Sequence, residues 1–279
     1  MPASFYPSEP VETAYFVHIS DTHIGPTPGY SLRGHYALPC ARRVVEIING
    51  LPQQPDFVIH TGDVVTDPDP ASFRLAAETF SLLDVPIYYV NGNHDSAADI
   101  ARFLPMGAKE EVHTGPDRLT YVFEVKGYRF LVLDAKGPAS IDPQGLLPDS
   151  QLELVARESQ SDGPPLVVFV HFPVVPLNSI WMDNNMLIAN GDDLHWALLP
   201  ARNRLRGVFY GHVHQHMQTI RDGILYFSVA SVFSQFGAWP QDITTFYDLN
   251  HPPSYAFVHL TPKQTIVHQH TFPRPDSSG

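Results

Sequence analysis

Between residues 21 and 214, five apolar runs each end in a short polar motif: Asp21-Thr22-His23, Gly62-Asp63, Gly92-Asn93-His94-Asp95, His171 and Gly211-His212-Val213-His214. No other feature restricts the fold as strongly. Continuous apolar runs bounded by Gly and polar residues read as buried strands. A strand end is rigid, and its side chains face a crevice. Five such ends, each bearing side chains that bind cations, require a fold that brings distant loops to one edge.

The residue types specify the chemistry. Asp21 and His23 are two apart, so on a strand they would point the same way. Asp63 offers two carboxylate oxygens and can bridge two cations, and Gly62 lets the backbone approach closely. Asn93 supplies a neutral amide oxygen. His94 beside it diverges on a loop, so one can face a metal and the other the substrate. His171 closes the run Leu-Val-Val-Phe-Val, and His212 and His214 again have a spacing of two. A Gly-Asp turn or an isolated D-x-H is common without function. The set is specific because all five occur in the same local context. Seven ligands with a bridging carboxylate fit two ions about 3.5–4 Å apart, the geometry used to hydrolyse phosphate esters. Four histidines favour manganese, iron, zinc or cobalt over magnesium or calcium.

Strands are expected at 15–20, 56–61, 87–90, 128–133, 166–170 and 207–210, with further ones at 225–230, 255–260 and 265–270. Helical patterns fall at 41–49, 71–83, 97–104 and 150–159. Early strands alternate with helices and late ones mostly do not. This predicts two packed sheets, the first mixed or parallel, with helices outside. The expected organisation is an extension at 1–13, one domain at 14–272 and a disordered tail at 273–279. Residues 174–206 form a rim insertion without a clear strand, and their position between two ligand motifs suggests a role at the site.

Composition narrows the partners. The net charge of −12 argues against a nucleic acid held by its phosphates. A small anion is not excluded, because bound cations dominate the local field. Cys40 is the only cysteine, which fits a reducing compartment. Neither a signal sequence nor a membrane-length apolar run is visible, so cytoplasm is the default expectation. The partners expected are a small phosphoester substrate, no nucleic acid and no membrane; a homodimer stays open.

With these residues the chain resembles the calcineurin-like metallophosphoesterase superfamily, and more closely its class III cyclic-nucleotide phosphodiesterase and glycerophosphodiesterase branch. The resemblance spans roughly residues 14 to 261. It includes Trp181-Met182-Asp183, Asn190-Gly191, Gln215 and residues 231–236. It implies an α/β fold, a four-layer α/β/β/α sandwich of two mixed sheets flanked by helices. It also implies one metal held by Asp21, His23, Asp63 and His214, and a second by Asp63, Asn93, His171 and His212. Thr66 stands where purple acid phosphatases have a tyrosine, and Pro68-Asp69-Pro70 where protein phosphatases have an arginine-glycine pair. Those branches are disfavoured.

The activity expected is hydrolysis of small phosphodiesters by metal-activated hydroxide, with His94 as general acid for the leaving alkoxide. Asp67 or Asp95 would orient His94. Trp181 and Met182 are large apolar groups in a polar stretch, and are expected to pack against the organic part of the substrate. A promiscuous monoesterase and diesterase, a nuclease of the same superfamily and a non-catalytic scaffold are the alternatives. The scaffold predicts lost ligands, whereas the whole set and His94 are present. His18 and His60 read as core residues and His216 as a residue behind the site. His35 reads equally well as a solvated loop residue or one that reaches the pocket.

Overall fold

The structure is a computed structural model that describes residues 11–160 and 162–275. In chain order the elements are β1 (Ala14–Ile19), β2 (Ser31–Leu32), β3 (His35–Tyr36), α1 (Ala37–Asn49), β4 (Phe57–His60), α2 (Pro70–Phe80), β5 (Ile87–Tyr89), α3 (Ala97–Phe103), β6 (Glu110–Glu111), β7 (Tyr121–Val125) and β8 (Tyr128–Val132). They continue with α4 (Asp149–Gln160), β9 (Leu166–Phe169), α5 (Ile180–Asn185), α6 (Gly191–Leu198), β10 (Leu205–Tyr210), β11 (Met217–Arg221), β12 (Ile224–Ser228), β13 (Gln235–Gly237), β14 (Phe246–Asp248), β15 (Ser254–Leu260) and β16 (Thr265–Thr271).

One sheet has the order β16-β15-β1-β4-β5, the other β11-β12-β10-β9-β8-β7-β6. Both are mixed. In the first, β1 runs parallel to β4 and β4 to β5, while β15 and β16 are antiparallel additions. In the second, β8, β9, β10 and β12 are mutually parallel. Two-residue alternation explains the unbroken apolar runs. Val167 and Phe169 of β9 join the cluster that holds Phe16, Phe130 and Phe209, whose rings meet between the sheets. Leu166 and Val168 join a second cluster with Leu154, Leu194 and Leu198 of α4 and α6. Helices α1, α2 and α3 bury Val44, Phe73 and Ile100 in the first cluster. The result is the four-layer α/β/β/α sandwich.

Pro68-Asp69-Pro70 acts locally as a helix start. The Asp69 carboxylate accepts from the Ala71 N–H and Pro70 opens α2, an arrangement that satisfies otherwise unpaired first-turn donors. Segment 174–206 has no strand before β10 opens at Leu205, and it contains α5 and α6. Both are short and lack a long apolar stripe, so the pattern did not declare them. Strands β7 and β11 were also not expected: β7 is a short hairpin arm interrupted by Glu124, and β11 is half-polar and only partly buried. Residues 1–10 of the expected extension and 276–279 of the expected tail lie outside the described residues. Arg274 donates to the His251 carbonyl at 2.9 Å. Among the described residues no helix is long and apolar enough to cross a membrane.

Candidate metal centre

Asp21, His23, Asp63 and Asn93 follow the C-terminal ends of β1, β4 and β5 in one sheet. His171, His212 and His214 follow β9 and β10 in the other. All five strands are parallel to a neighbour, so their C-terminal ends share one edge, where open α/β sheets place their sites. The loops after β1 and β4 continue the ladder beyond the strands. Asp21 N–H donates to the Gly62 carbonyl and His23 N–H to the Asp63 carbonyl, each at 3.0 Å. In the other sheet, Gly211 N–H donates to the His171 carbonyl at 3.0 Å, and between the sheets His212 N–H donates to the Asp21 carboxylate at 3.1 Å.

Asp21, His23, Asp63, His212 and His214 all have positive φ, between 47° and 68°. The pairs at spacing two are therefore aimed by left-handed turns, and not by strand alternation as expected. Such backbone costs of order 1 kcal/mol or more per residue and persists where the surroundings hold it. Gly62 also lies at positive φ, and a Cβ there would collide with the His171 ring. At Gly92 a Cβ would collide with the Asp63 carboxylate. Both glycines are needed because the motifs approach so closely.

Backbone carbonyls fix the rings. His171 Nδ1 lies 2.6 Å from the Thr61 carbonyl, and His214 Nδ1 is bonded to the Ser234 carbonyl. A carbonyl only accepts, so these Nδ1 atoms carry hydrogen and each Nε2 faces inward, offering a lone pair when the ring is neutral. His171 Nε2 is 3.1 Å from His212 Nδ1 and 3.3 Å from Asp63 Oδ2. His214 Nε2 is 3.2 Å from His23 Nε2 and 3.4 Å from Asp21 Oδ1. Two ligands about 2.0–2.1 Å from a shared ion at tetrahedral angles stand about 3.3 Å apart. The spacing therefore fits donors that share a cation.

Asp21, His23 and His214 form one three-donor group, and Asp63, His171 and His212 another; His23, Asp63 and His94 link them. In each the donor atoms lie within 4.8 Å of one another. Asn93 Oδ1 is buried and has no hydrogen-bond partner among the described residues, which suits it as a further donor to a cation. The residues present thus fit bound cations, and Asp63 belongs to two of the three donor groups.

Electrostatics point the same way. Asp21 and Asp63 are buried, and their ion-pair partners are histidines. Burial opposes ionisation of Asp63, but His171, His94 and His23 outweigh it and hold its carboxyl well below the usual range. For Asp21, burial is likewise outweighed, by His214 and His171. Without metal the carboxylates draw a proton to His171, whose pKa is pushed up to about 9 against its burial by Asp63 and Asp21. His212 is pushed down to about 3 by burial and by His171. A proton on one ring of the pair supplies part of the positive charge that the acidic pair demands.

His94 lies at the mouth of the group. Its N–H donates to Asp63 Oδ1 at 3.0 Å, and its Nδ1 is 2.7 Å from the Thr66 carbonyl. That carbonyl, and neither Asp67 nor Asp95, orients the ring. Asp95 is occupied underneath, where its carboxylate accepts from the Val64, Val65 and Gly92 N–H groups.

His23, Asp63, Asn93, His212 and His214 line a cavity of about 180 Å³ that Trp181 also lines. Met182 does not line it; it is 1% exposed and packs in the second core cluster. Successive residues on a helix point about 100° apart, so α5 turns Trp181 to the cavity and Met182 to the core. Pro143, Met186, Phe236, Thr245, Tyr247 and Arg33 complete the walls and were not expected. Met186 follows α5, and Phe236, Thr245, Tyr247 and Arg33 depend on the rim ribbon β13–β14 and the β2–β3 hairpin, which no apolar run announces. His18 and His60 are core residues, bonded to Thr61 and Thr22 hydroxyls. His216 is half-buried behind the site, and His35 packs near Phe233 outside the cavity. A larger open depression of about 470 Å³ near Gln160 and Asn203 lies by the opposite, N-terminal ends of β9 and β10 and holds none of the ligand groups.

The profile of the family described as calcineurin-like phosphoesterase matches residues 14–216. The chain is 28% identical over 257 residues to the glycerophosphodiester phosphodiesterase GpdQ of Enterobacter lignolyticus, covering 91% of this chain and 90% of that protein. It is 30% identical over 230 residues to the 3',5'-cyclic adenosine monophosphate phosphodiesterase CpdA of Pseudomonas aeruginosa, covering 82% of this chain and 79% of that one. In fold it is similar to a dimetal phosphatase from Danio rerio, with a TM-score of 0.69 at 15% identity over 94% of this chain and 96% of the other.

Proposed function

The chain belongs to the calcineurin-like phosphoesterase family, and on that premise we propose that it hydrolyses small phosphodiesters at a two-metal centre. The observation that supports this most is the pair of buried three-donor groups linked through His23 and Asp63. Manganese, iron, zinc and cobalt are the ions proposed, on the imidazole content of the set. Asp21, His23, Asp63 and His214 would hold one ion, and Asp63, Asn93, His171 and His212 the other. Such ions supply Lewis acidity toward phosphoryl oxygens and make hydroxide available near neutral pH.

The protein's own part is positioning and proton transfer. Asp63 is fixed by the His94 N–H on one oxygen and faces His171 with the other. His94 has its outer nitrogen occupied by Thr66, which leaves Nε2 to face the cavity. Burial disfavours a charged ring there, but Asp63, the Thr66 carbonyl and Asp95 outweigh it and raise the His94 pKa. A protonated His94 would give its Nε2 proton to the departing alkoxide oxygen. Trp181, Met186 and Phe236 would cover the organic substituent.

Glycerophosphodiesters and cyclic nucleotides are the substrate classes proposed, because the two relatives named above carry those activities in their names. The compartment proposed is the cytoplasm, on the single buried thiol Cys40. The deciding experiment couples elemental analysis to turnover. Active protein is expected to hold two ions per chain. A chelator should abolish hydrolysis of bis(p-nitrophenyl) phosphate, and manganese, cobalt or zinc should restore it. Full activity with one ion or none contradicts the two-metal centre.

A further inference from the structure

Arg33 and Lys126 occupy the same kind of turn, and only one of them has an acidic partner. Arg33-Gly34 joins β2 to β3 with φ of 53° and 76°; Lys126-Gly127 joins β7 to β8 with φ of 50° and 79°. Both are two-residue hairpin loops with the positive φ that the twist of the strands favours. Lys126 Nζ is paired with Asp56 at 2.7 Å. Arg33 has no carboxylate partner among the described residues. Its Nη1 is buried and makes no hydrogen bond to the described residues.

That side chain lines the metal cavity, yet it comes from none of the five motif loops. Its guanidinium carbon sits 4.5 Å from the centre of the Tyr247 ring. The wall can be followed ring by ring. His214 is 4.8 Å from Phe236, and Phe236 is 6.4 Å from Tyr247. Arg33 is thus two aromatic rings removed from a metal ligand along this wall. A guanidinium stacked on a ring keeps its edge free, and its fork of donors matches carboxylate or phosphate. Leaving a buried donor of this kind unpaired is costly.

We propose that Arg33 receives a second negatively charged group of the substrate, separate from the phosphate under attack. The substrate class is then a phosphoester that carries an additional phosphoryl or carboxylate on its organic arm. This deepens the phosphodiesterase reading and rests on it. Tyr247 orients the guanidinium, while the metal ligands take the phosphate common to all substrates.

The test uses two matched pairs on the manganese-loaded full chain. One pair is the methyl ester of uridine diphosphate against the methyl ester of uridine monophosphate. The other is glycerophosphoserine against glycerophosphoethanolamine. In the favoured pair, Arg33→Met should lower the ratio of kcat/KM between the doubly and singly anionic member by about 10–100-fold, the range of a charge-assisted hydrogen bond. Arg33→Lys should retain part of the ratio. The pair that responds identifies phosphoryl or carboxylate as the second group. Calorimetric binding of methylenediphosphonate against methylphosphonate should show the same loss without turnover. Unchanged ratios in both pairs overturn the proposal. So does an equal fall for all four substrates, which would put Arg33 on the scissile phosphate. If the unaltered protein hydrolyses none of the four yet prefers the diphosphonate through Arg33, the phosphodiesterase reading fails and the anion site stands.

Discussion

His94 is held by two groups of the loop after β4, the Asp63 carboxylate and the Thr66 carbonyl. Its N–H is bonded to Asp63 and its ring to the Thr66 carbonyl, so deleting the imidazole leaves the Asp63 contact intact. His94→Ala should therefore keep both metals, as measured by elemental analysis. For diesters with alkoxide leaving groups, kcat should fall by about 10²–10⁴-fold, the usual contribution of a general acid. With p-nitrophenolate, which departs without a proton, the loss should be small. Loss of one metal in this variant would instead make His94 a ligand, a role its closeness to His23 and Asp63 also permits.

At the scale of an element, α5 ties the rim to the core. Ile180 N–H donates to the Pro240 carbonyl and Trp181 N–H to the Asp242 carbonyl, at 3.0 and 3.1 Å. The helix thereby supports the ribbon that carries Phe236 and Tyr247. Met182 is its inward anchor. Met182→Ala should lower stability by about 2–5 kcal/mol, as truncation of a buried methionine does, with relative substrate preference unchanged. Trp181→Ala should change the ratio of kcat/KM between bulky and small diesters, with metal content unaffected. Denaturant unfolding run beside a substrate panel separates the two. An unchanged ratio in a folded Trp181→Ala variant would remove that residue from substrate selection.

At the scale of the whole molecule, two buried histidines outside the ligand set link stability to pH. Burial pushes His18 down to about 3, helped by His216, and pushes His60 down to about 3. In the unfolded chain each titrates near 6.5. The unfolded state therefore binds more protons between about pH 3 and 6.5, so stability is complete above that window and is lost as pH falls through it. Each residue contributes a slope of up to about 1.4 kcal/mol per pH unit. Unfolding of the chelated protein between pH 7.5 and 4 should show this, and His60→Gln should flatten the slope. An unchanged slope would mean that His60 binds protons alike in the folded and unfolded states.

The motifs could be read from sequence because each depends on its own strand. The run Leu-Val-Val-Phe-Val is apolar throughout because β9 is covered on both faces, and His171 is where that cover ends. Of the strands that escaped notice, β11 exposes one face and β7 has an apolar run of only three residues before Glu124, so both carry a weaker signal. The sequence by itself determined which donors exist, that they lie at strand ends, and that two sheets with outer helices would be built. Only the tertiary structure decided how those ends meet. Left-handed turns at Asp21, His23, Asp63, His212 and His214 set the directions, and carbonyls of Thr61, Thr66 and Ser234 chose which imidazole nitrogen faces inward. It also placed Trp181 at the cavity and Met182 in the core, and brought Arg33 beside Tyr247. The reason is physical. Burial of a strand is written in its own residues, whereas the aim of a loop is fixed by contacts with loops far away in the chain, and those contacts form only when the two sheets pack.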